Sequence, residues 1–178
     1  MNSSKGSANL SQNDSYETIE QTMEKLSDGA RRLAAQLTTT ASFDSLWRVL
    51  TDYDRLNLYI PNLLSSKKLY KNNNNIHLQQ IGAQDFLGMK FSAEVILDLY
   101  EKRELGQITF KLMKGDFRRF EGSWKIQKVS GSDNNSLIYD LTVKGCQWMP
   151  IGMIEKRLKK DLSENLIAVD KQAKKLIK

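Results

Sequence analysis

From Ser65 to Lys144 the chain alternates apolar and polar residues with a period of two, whereas the segments on either side repeat every three to four residues. The alternation predicts strands. Residues 65–71 and 75–82, separated by a run of asparagines, predict a hairpin. Further on, Phe91, Ala93, Val95, Leu97 and Leu99 share one face, and Ser92, Glu94 and Asp98 share the other. The pattern recurs with Ile108, Phe110 and Leu112, with Phe120, Gly122, Trp124 and Ile126, and with Leu137, Tyr139, Leu141 and Val143. Short polar turns between these runs predict an antiparallel meander with one wet face and one covered face.

Before the meander, Leu33, Ala35 and Leu37 alternate with Arg32, Ala34 and Gln36, predicting a first strand. Ser42 is a good N-cap and Asp44 suits the first helical turn. A helix is therefore predicted from Ser42 to Tyr53, with Phe43, Leu46, Trp47 and Leu50 on one face. A second short helical turn, Arg55–Tyr59, must stop before Pro61, because proline disfavours α geometry in the residue preceding it. After the meander, Ile154, Leu158, Leu162, Leu166, Val169, Ala173 and Leu176 form a single apolar stripe, predicting one long C-terminal helix. At the N-terminus, Ile19, Met23 and Leu26 predict a short amphipathic helix over 16–28, capped by Ser15 and stopped by Gly29. The first 14 residues are rich in Ser, Asn and Gln and are expected to be disordered.

This order predicts an α+β helix-grip fold. A curved antiparallel sheet of six to seven strands wraps around a long C-terminal helix, with two short helices after the first strand. Residues 1–29 are expected to be a flexible or partly helical arm, and residues 31–178 the folded domain.

One segment also carries a family resemblance. Asp52, Tyr53, Leu56, Tyr59, Ile60, Pro61 and Leu63 resemble the post-helix motif of the START-like polyketide cyclase/dehydrase and coenzyme Q-binding family, within the SRPBCC-type superfamily. Phe120, Gly122 and Trp124 resemble a later strand of that family. The resemblance extends over residues 31–178. It implies a START-like domain that binds a lipid, an isoprenoid quinone or a polyketide-like molecule. The cyclase part of the family name implies, as an alternative, an aromatase/cyclase-like enzyme.

Charge and composition narrow this reading. The net charge is +6, with −3 in the first 30 residues and +4 over residues 150–178. A basic body suits an anionic partner, or simply a lysine-rich solvated face. The aromatic side chains that would stack on bases fall on the face expected to be covered, so no nucleic-acid partner is expected. No apolar run reaches the roughly 18 to 20 residues of a membrane span. The N-terminus lacks the apolar region of a secretory signal. With the single cysteine, Cys146, this leads to an expectation of a reducing, cytoplasmic setting.

Catalytic chemistry has little to draw on. His77 is the one histidine and sits beside an Asn-rich turn. One His and one Cys fall short of a metal set, and no phosphate-binding glycine loop is present, so no metal or cofactor is expected. The helix-grip interior offers another use. The inward strand positions Phe91, Val95, Phe110, Phe120, Trp124 and Tyr139 face Leu158 and Leu162, with Trp148 in the loop before the helix. These nine are the candidate ligand contacts. Met89, Met113, Met149 and Met153 suit an adaptable mouth. A self-filled core would show the same alternation, so both readings stand open. Tyr139 and Arg118 are candidates for orienting a polar head group; for Arg118 a solvated position fits equally. Trp148 and Ile151, near the Lys-rich helix, allow a peripheral contact with an anionic membrane.

Overall fold

The alternating segments pair with their sequence neighbours. In the computed structural model, which describes residues 19–86, 88–148 and 151–176, eight strands form one antiparallel sheet. They are β1 (Glu20–Lys25), β2 (Arg31–Thr39), β3 (Leu63–Asn72), β4 (Asn75–Phe86), β5 (Met89–Lys102), β6 (Gln107–Gly115), β7 (Arg119–Lys128) and β8 (Asn135–Lys144). The order across the sheet is β1-β2-β8-β7-β6-β5-β4-β3, so only the β2–β8 pairing joins distant parts of the chain. Two helices complete the fold, α1 (Phe43–Leu50) and α2 (Ile151–Lys175), with a 3-10 segment at Tyr53–Leu58. This is the expected α+β helix-grip arrangement, with one strand beyond the predicted six to seven.

The additional strand is β1, and it corrects the helix predicted over 16–28. Glu20–Lys25 pairs residue by residue with β2, from Glu20 opposite Gln36 to Lys25 opposite Arg31. The misreading has a simple cause. Ile19 and Met23 are four apart, a spacing that shares one face in a helix and also in a period-two strand. Both pack against the core, Met23 within β1 and Ile19 just before it. Leu26 instead falls in the turn, where its N–H donates to Ala30 O at 2.9 Å and Gly29 adopts φ +85°. The predicted Ser15 cap and the disorder expected for the first residues lie outside the described residues.

Elsewhere the local chemistry acts as expected. Ser42 Oγ accepts from the Ser45 N–H at 3.1 Å and caps α1, whose Leu46, Trp47, Val49 and Leu50 are buried. The helix ends at Leu50, three residues short of the predicted Tyr53. The chain tightens there because Tyr53 turns inward and donates its hydroxyl to Glu101 Oε1 at 2.8 Å. Tyr59 likewise donates to Val49 O at 2.7 Å, tying the 3-10 segment back to α1. A register shift between Ile96 and Leu97 bends β5 and curls the sheet.

Helix α2 lies in the curl but not centrally. It packs most closely on β2 and α1. Arg31 Nε meets Glu155 Oε2 at 3.0 Å, and the buried Thr39 hydroxyl donates to the buried Asp170. Leu162, Leu166, Val169 and Ala173 are fully or almost fully buried, whereas Leu176, the last residue of the predicted stripe, is exposed. Because the helix leans toward β2, the space toward β4, β5 and β7 is left open.

Candidate functional site

That space is a cavity of about 300 Å³ between α2, the 3-10 segment and strands β4, β5, β7 and β8. An ordinary protein interior leaves few voids larger than a water molecule. The volume lies at the lower end of the range for small-molecule pockets. Eight of the nine residues expected to contact a ligand stand on its wall: Phe91, Val95, Phe120, Trp124, Tyr139, Trp148, Leu158 and Leu162. Phe110 does not. It lines a smaller void of about 60 Å³ that shares Phe120, Trp124 and Tyr139 with the main one.

The aromatic floor is built by strand register. Trp124 on β7 lies directly opposite Tyr139 on β8, and their rings stack at 4.0 Å with 9° between planes. Phe110 on β6 is paired with Gly122, the middle residue of the Phe120-Gly122-Trp124 pattern. A Cβ on Gly122 would stand 2.9 Å from the Phe110 ring and 2.0 Å from Asp140 O, so glycine is what allows the strand and the ring to approach there. Phe110 in turn lies 5.9 Å from Phe120 and 6.2 Å from Tyr139, within the range of favourable aromatic pairs.

The mouth is edged by exposed Pro61, Asn62, Ser92 and Trp148. Trp148 is 55% exposed, which is high for so large an apolar side chain. Asn62 adopts φ +62°, a conformation asparagine tolerates better than most residues. From there its Nδ2 donates to Asp161 Oδ1 at 3.3 Å, bridging the mouth to α2. Of the methionines assigned to the mouth, Met113 is 52% exposed and is not on the cavity wall. Met149 and the side chains of Met89 and Met153 lie outside the described set.

Several lining residues were not anticipated. Leu50, Leu56, Ile60, Pro61 and Leu63 come from α1, the 3-10 segment, the turn that follows and the start of β3. Gln80, Phe117, Asp161 and Asn165 add to the wall. For Asp161 and Asn165 a signal existed: they sit one turn apart, beside Leu158, Leu162 and Leu166, as a polar pair within an apolar face. Arg118 is exposed and is not a lining residue, so it does not reach a ligand's head group in the cavity. Tyr139 does line the cavity. Burial, reinforced by the Asp161 carboxylate, pushes its phenol well above the usual value and keeps it protonated. His77 lies on β4 outside the cavity wall, 3.8 Å from Asp98. Among the described residues, no group of three or more His, Cys, Asp or Glu gathers as a metal site. Among the same residues, no helix is long and apolar enough to cross a membrane.

Comparison with known proteins agrees with this architecture. No curated protein sequence matches the chain. Among solved structures, a START superfamily protein from Mycobacterium smegmatis is 20% identical, with a TM-score of 0.64 over 82% of this chain and 98% of that one. The STAR-related lipid transfer protein from Xanthomonas axonopodis is 14% identical, with a TM-score of 0.67 over 86% of this chain and 98% of that one. The Zhui aromatase/cyclase from a Streptomyces species is 15% identical, with a TM-score of 0.67 over 84% of this chain and 96% of that one. At such identities the likeness concerns the fold. The family model described as polyketide cyclase/dehydrase and lipid transport matches residues 39–170, and the chain belongs to that family.

Proposed function

We infer that this protein binds an apolar small molecule non-covalently in the cavity and carries or shelters it. The ligand is a lipid, an isoprenoid quinone or a polyketide-like compound. The observation that carries this reading is the cavity itself: about 300 Å³ left open beneath the long helix, walled mainly by apolar side chains and edged by an exposed tryptophan. Apolar burial of this kind is the main source of affinity for such ligands. Phe91, Val95, Phe120, Trp124, Tyr139, Trp148, Leu158 and Leu162 are the contacts proposed, with Phe110 supporting the floor from behind. The family description, which pairs polyketide chemistry with lipid transport, is in line with this ligand range.

Delivery calls for a surface where the ligand enters and leaves. Exposed Trp148, together with Lys156 and Lys160 on the outer face of α2, supports a peripheral contact with an anionic bilayer at the mouth. The working compartment in this reading is the cytoplasm. A second reading, an aromatase/cyclase-like enzyme, is favoured by one observation: the protonated Tyr139 phenol faces the cavity. It predicts that Tyr139→Phe abolishes turnover of a polyketide substrate while leaving its binding in place.

The deciding experiment is native mass spectrometry of gently purified protein, followed by solvent extraction of whatever is released. A stoichiometric lipid or quinone establishes the carrier and names its ligand class. An unliganded mass, together with no binding of a lipid and quinone panel by the refolded protein, rejects it.

A further inference from the structure

The cavity wall is not uniformly apolar. On the α2 side stands a compact polar group: the carboxylate of Asp161, the amide of Asn165 one helical turn later, and the hydroxyl of Tyr139 from β8. Asp161 Oδ1 forms an ion pair with Arg157 Nε at 3.1 Å and accepts a hydrogen bond from Asn62 Nδ2 at 3.3 Å. The Tyr139 hydroxyl, on a residue only 8% exposed, feels the Asp161 carboxylate. Asn165 Oδ1 is shut off from solvent with no hydrogen-bond partner. Buried polar groups are ordinarily satisfied, and one left alone is destabilising. One such group beside a carboxylate and a phenol, all on the wall of one cavity, calls for a partner that arrives from outside.

From this geometry we propose that the Asp161–Asn165–Tyr139 end of the cavity receives a hydroxyl group, the polar head of an otherwise apolar alcohol or phenol. The proposal rests on the reading of the cavity as a ligand site and adds to it the chemistry of the head group. A hydroxyl both donates and accepts. It can therefore take a hydrogen bond from the Tyr139 O–H and give one to Asn165 or Asp161. It also pairs with either end of the Asn165 amide, whose terminal torsion has a broad two-fold profile. A carboxylate or phosphate head would add a second buried negative charge beside Asp161, with only the one Arg157 guanidinium to serve both, an unfavourable arrangement. Burial keeps the Tyr139 phenol protonated, so it adds a donor and no second negative charge. An ether or hydrocarbon supplies no donor and leaves the acceptors alone.

The test uses four ring compounds of similar size as calorimetric probes: β-naphthol, its methyl ether, β-naphthoate and naphthalene. The wild type is expected to bind β-naphthol at least about fivefold more tightly than the methyl ether, the return for one satisfied hydrogen bond. It should bind β-naphthoate more weakly than either. Asn165→Leu keeps the side-chain volume and removes the amide. Its β-naphthol affinity should fall about fivefold while naphthalene stays within about twofold, and without ligand it should melt no lower than wild type. Asp161→Asn should narrow the deficit of β-naphthoate. Equal affinities for β-naphthol and its methyl ether in the wild type overturn the proposal but leave the cavity reading in place. Tighter binding of β-naphthoate overturns it as well. Failure of all four probes to bind at their solubility limits removes the cavity reading itself. If Asn165→Leu does not fold, the wild-type selectivity and the Asp161→Asn comparison still decide.

Discussion

Tyr139 shows how one residue serves both packing and site. Its ring is a floor tile of the aromatic cluster, stacked on Trp124, and its hydroxyl is raised in pKa by burial first and by Asp161 second. Tyr53 and Tyr59 are shifted in the same direction, again chiefly by burial, with Glu101 and Asp52 reinforcing the shift. A folded-state pKa above the ordinary tyrosine value of 10.0 means that the unfolded chain loses these protons first as the pH rises. The stability they contribute is therefore complete below pH 10 and is lost progressively above it. Urea midpoints measured from about pH 8 upward should fall beyond pH 10. The fall should be shallower in Tyr53→Phe, which has nothing to titrate at that position. Gly122 is the opposite kind of residue, defined by what it lacks. Gly122→Ala would drive a methyl group into Asp140 O and the Phe110 ring. It is expected to cost about 1–3 kcal/mol in urea unfolding, and more if β7 cannot shift. The Phe120-Gly122-Trp124 pattern was visible in the sequence, but the need for glycine at its centre becomes apparent only when Phe110 arrives from β6.

At the scale of elements, α1 and α2 rest on different supports. α1 is eight residues long, too short to hold its shape alone, and depends on its cap and its buried face. Ser42→Ala removes the acceptor for the Ser45 N–H and should lower stability by about 0.5–2 kcal/mol, read as a lowered thermal midpoint with an unchanged fold. α2 depends on its stripe. Leu166 is fully buried, so Leu166→Ala should cost about 2–5 kcal/mol, measured by chemical denaturation, well beyond the effect at Ser42. The difference follows from area, since a cap satisfies one hydrogen bond whereas Leu166 gives up a whole side chain of contacts. β1 shows the limit of element-level reading. A spacing of four residues satisfies both the helical and the extended period, so the six residues Glu20–Lys25 carry no preference strong enough to decide. The open flank of β2 decides for them, because its unpaired N–H and C=O groups offer a ladder that an isolated helix cannot match.

At the scale of the whole molecule, the position of the helix creates the site. α2 leans on β2 and α1, and the curled sheet continues past it, so β4, β5 and β7 are not among the strands it packs on. The void that remains is flanked by Leu158 and Leu162 on one side and by Phe91 and Val95 on the other. Filling it tests whether the gap is a tolerated defect or a retained feature. Ala93→Leu places extra volume on the cavity wall. It should hold or raise the thermal midpoint while lowering uptake of apolar probes by about tenfold or more. A stability gain with undiminished uptake would place the ligand elsewhere.

The sequence by itself determined the order of the elements, the inward face of nearly every strand and the stripe of α2, because these follow from periodicity and solvent exclusion over a few neighbouring residues. It also identified eight of the residues that line the cavity, since inward aromatic and aliphatic positions must meet whatever the sheet encloses. It left open whether they enclose a filled core or a cavity. That depends on ångström-scale distances between elements far apart in the chain: the tilt of α2, the bulge in β5 and the turn at Asn62. The polar group at Asp161, Asn165 and Tyr139 exists for the same reason. Local pattern marks each of the three only as a polar edge or an aromatic on an apolar face. Only the packing of α2 against the β8 side of the sheet brings them onto the wall of one cavity.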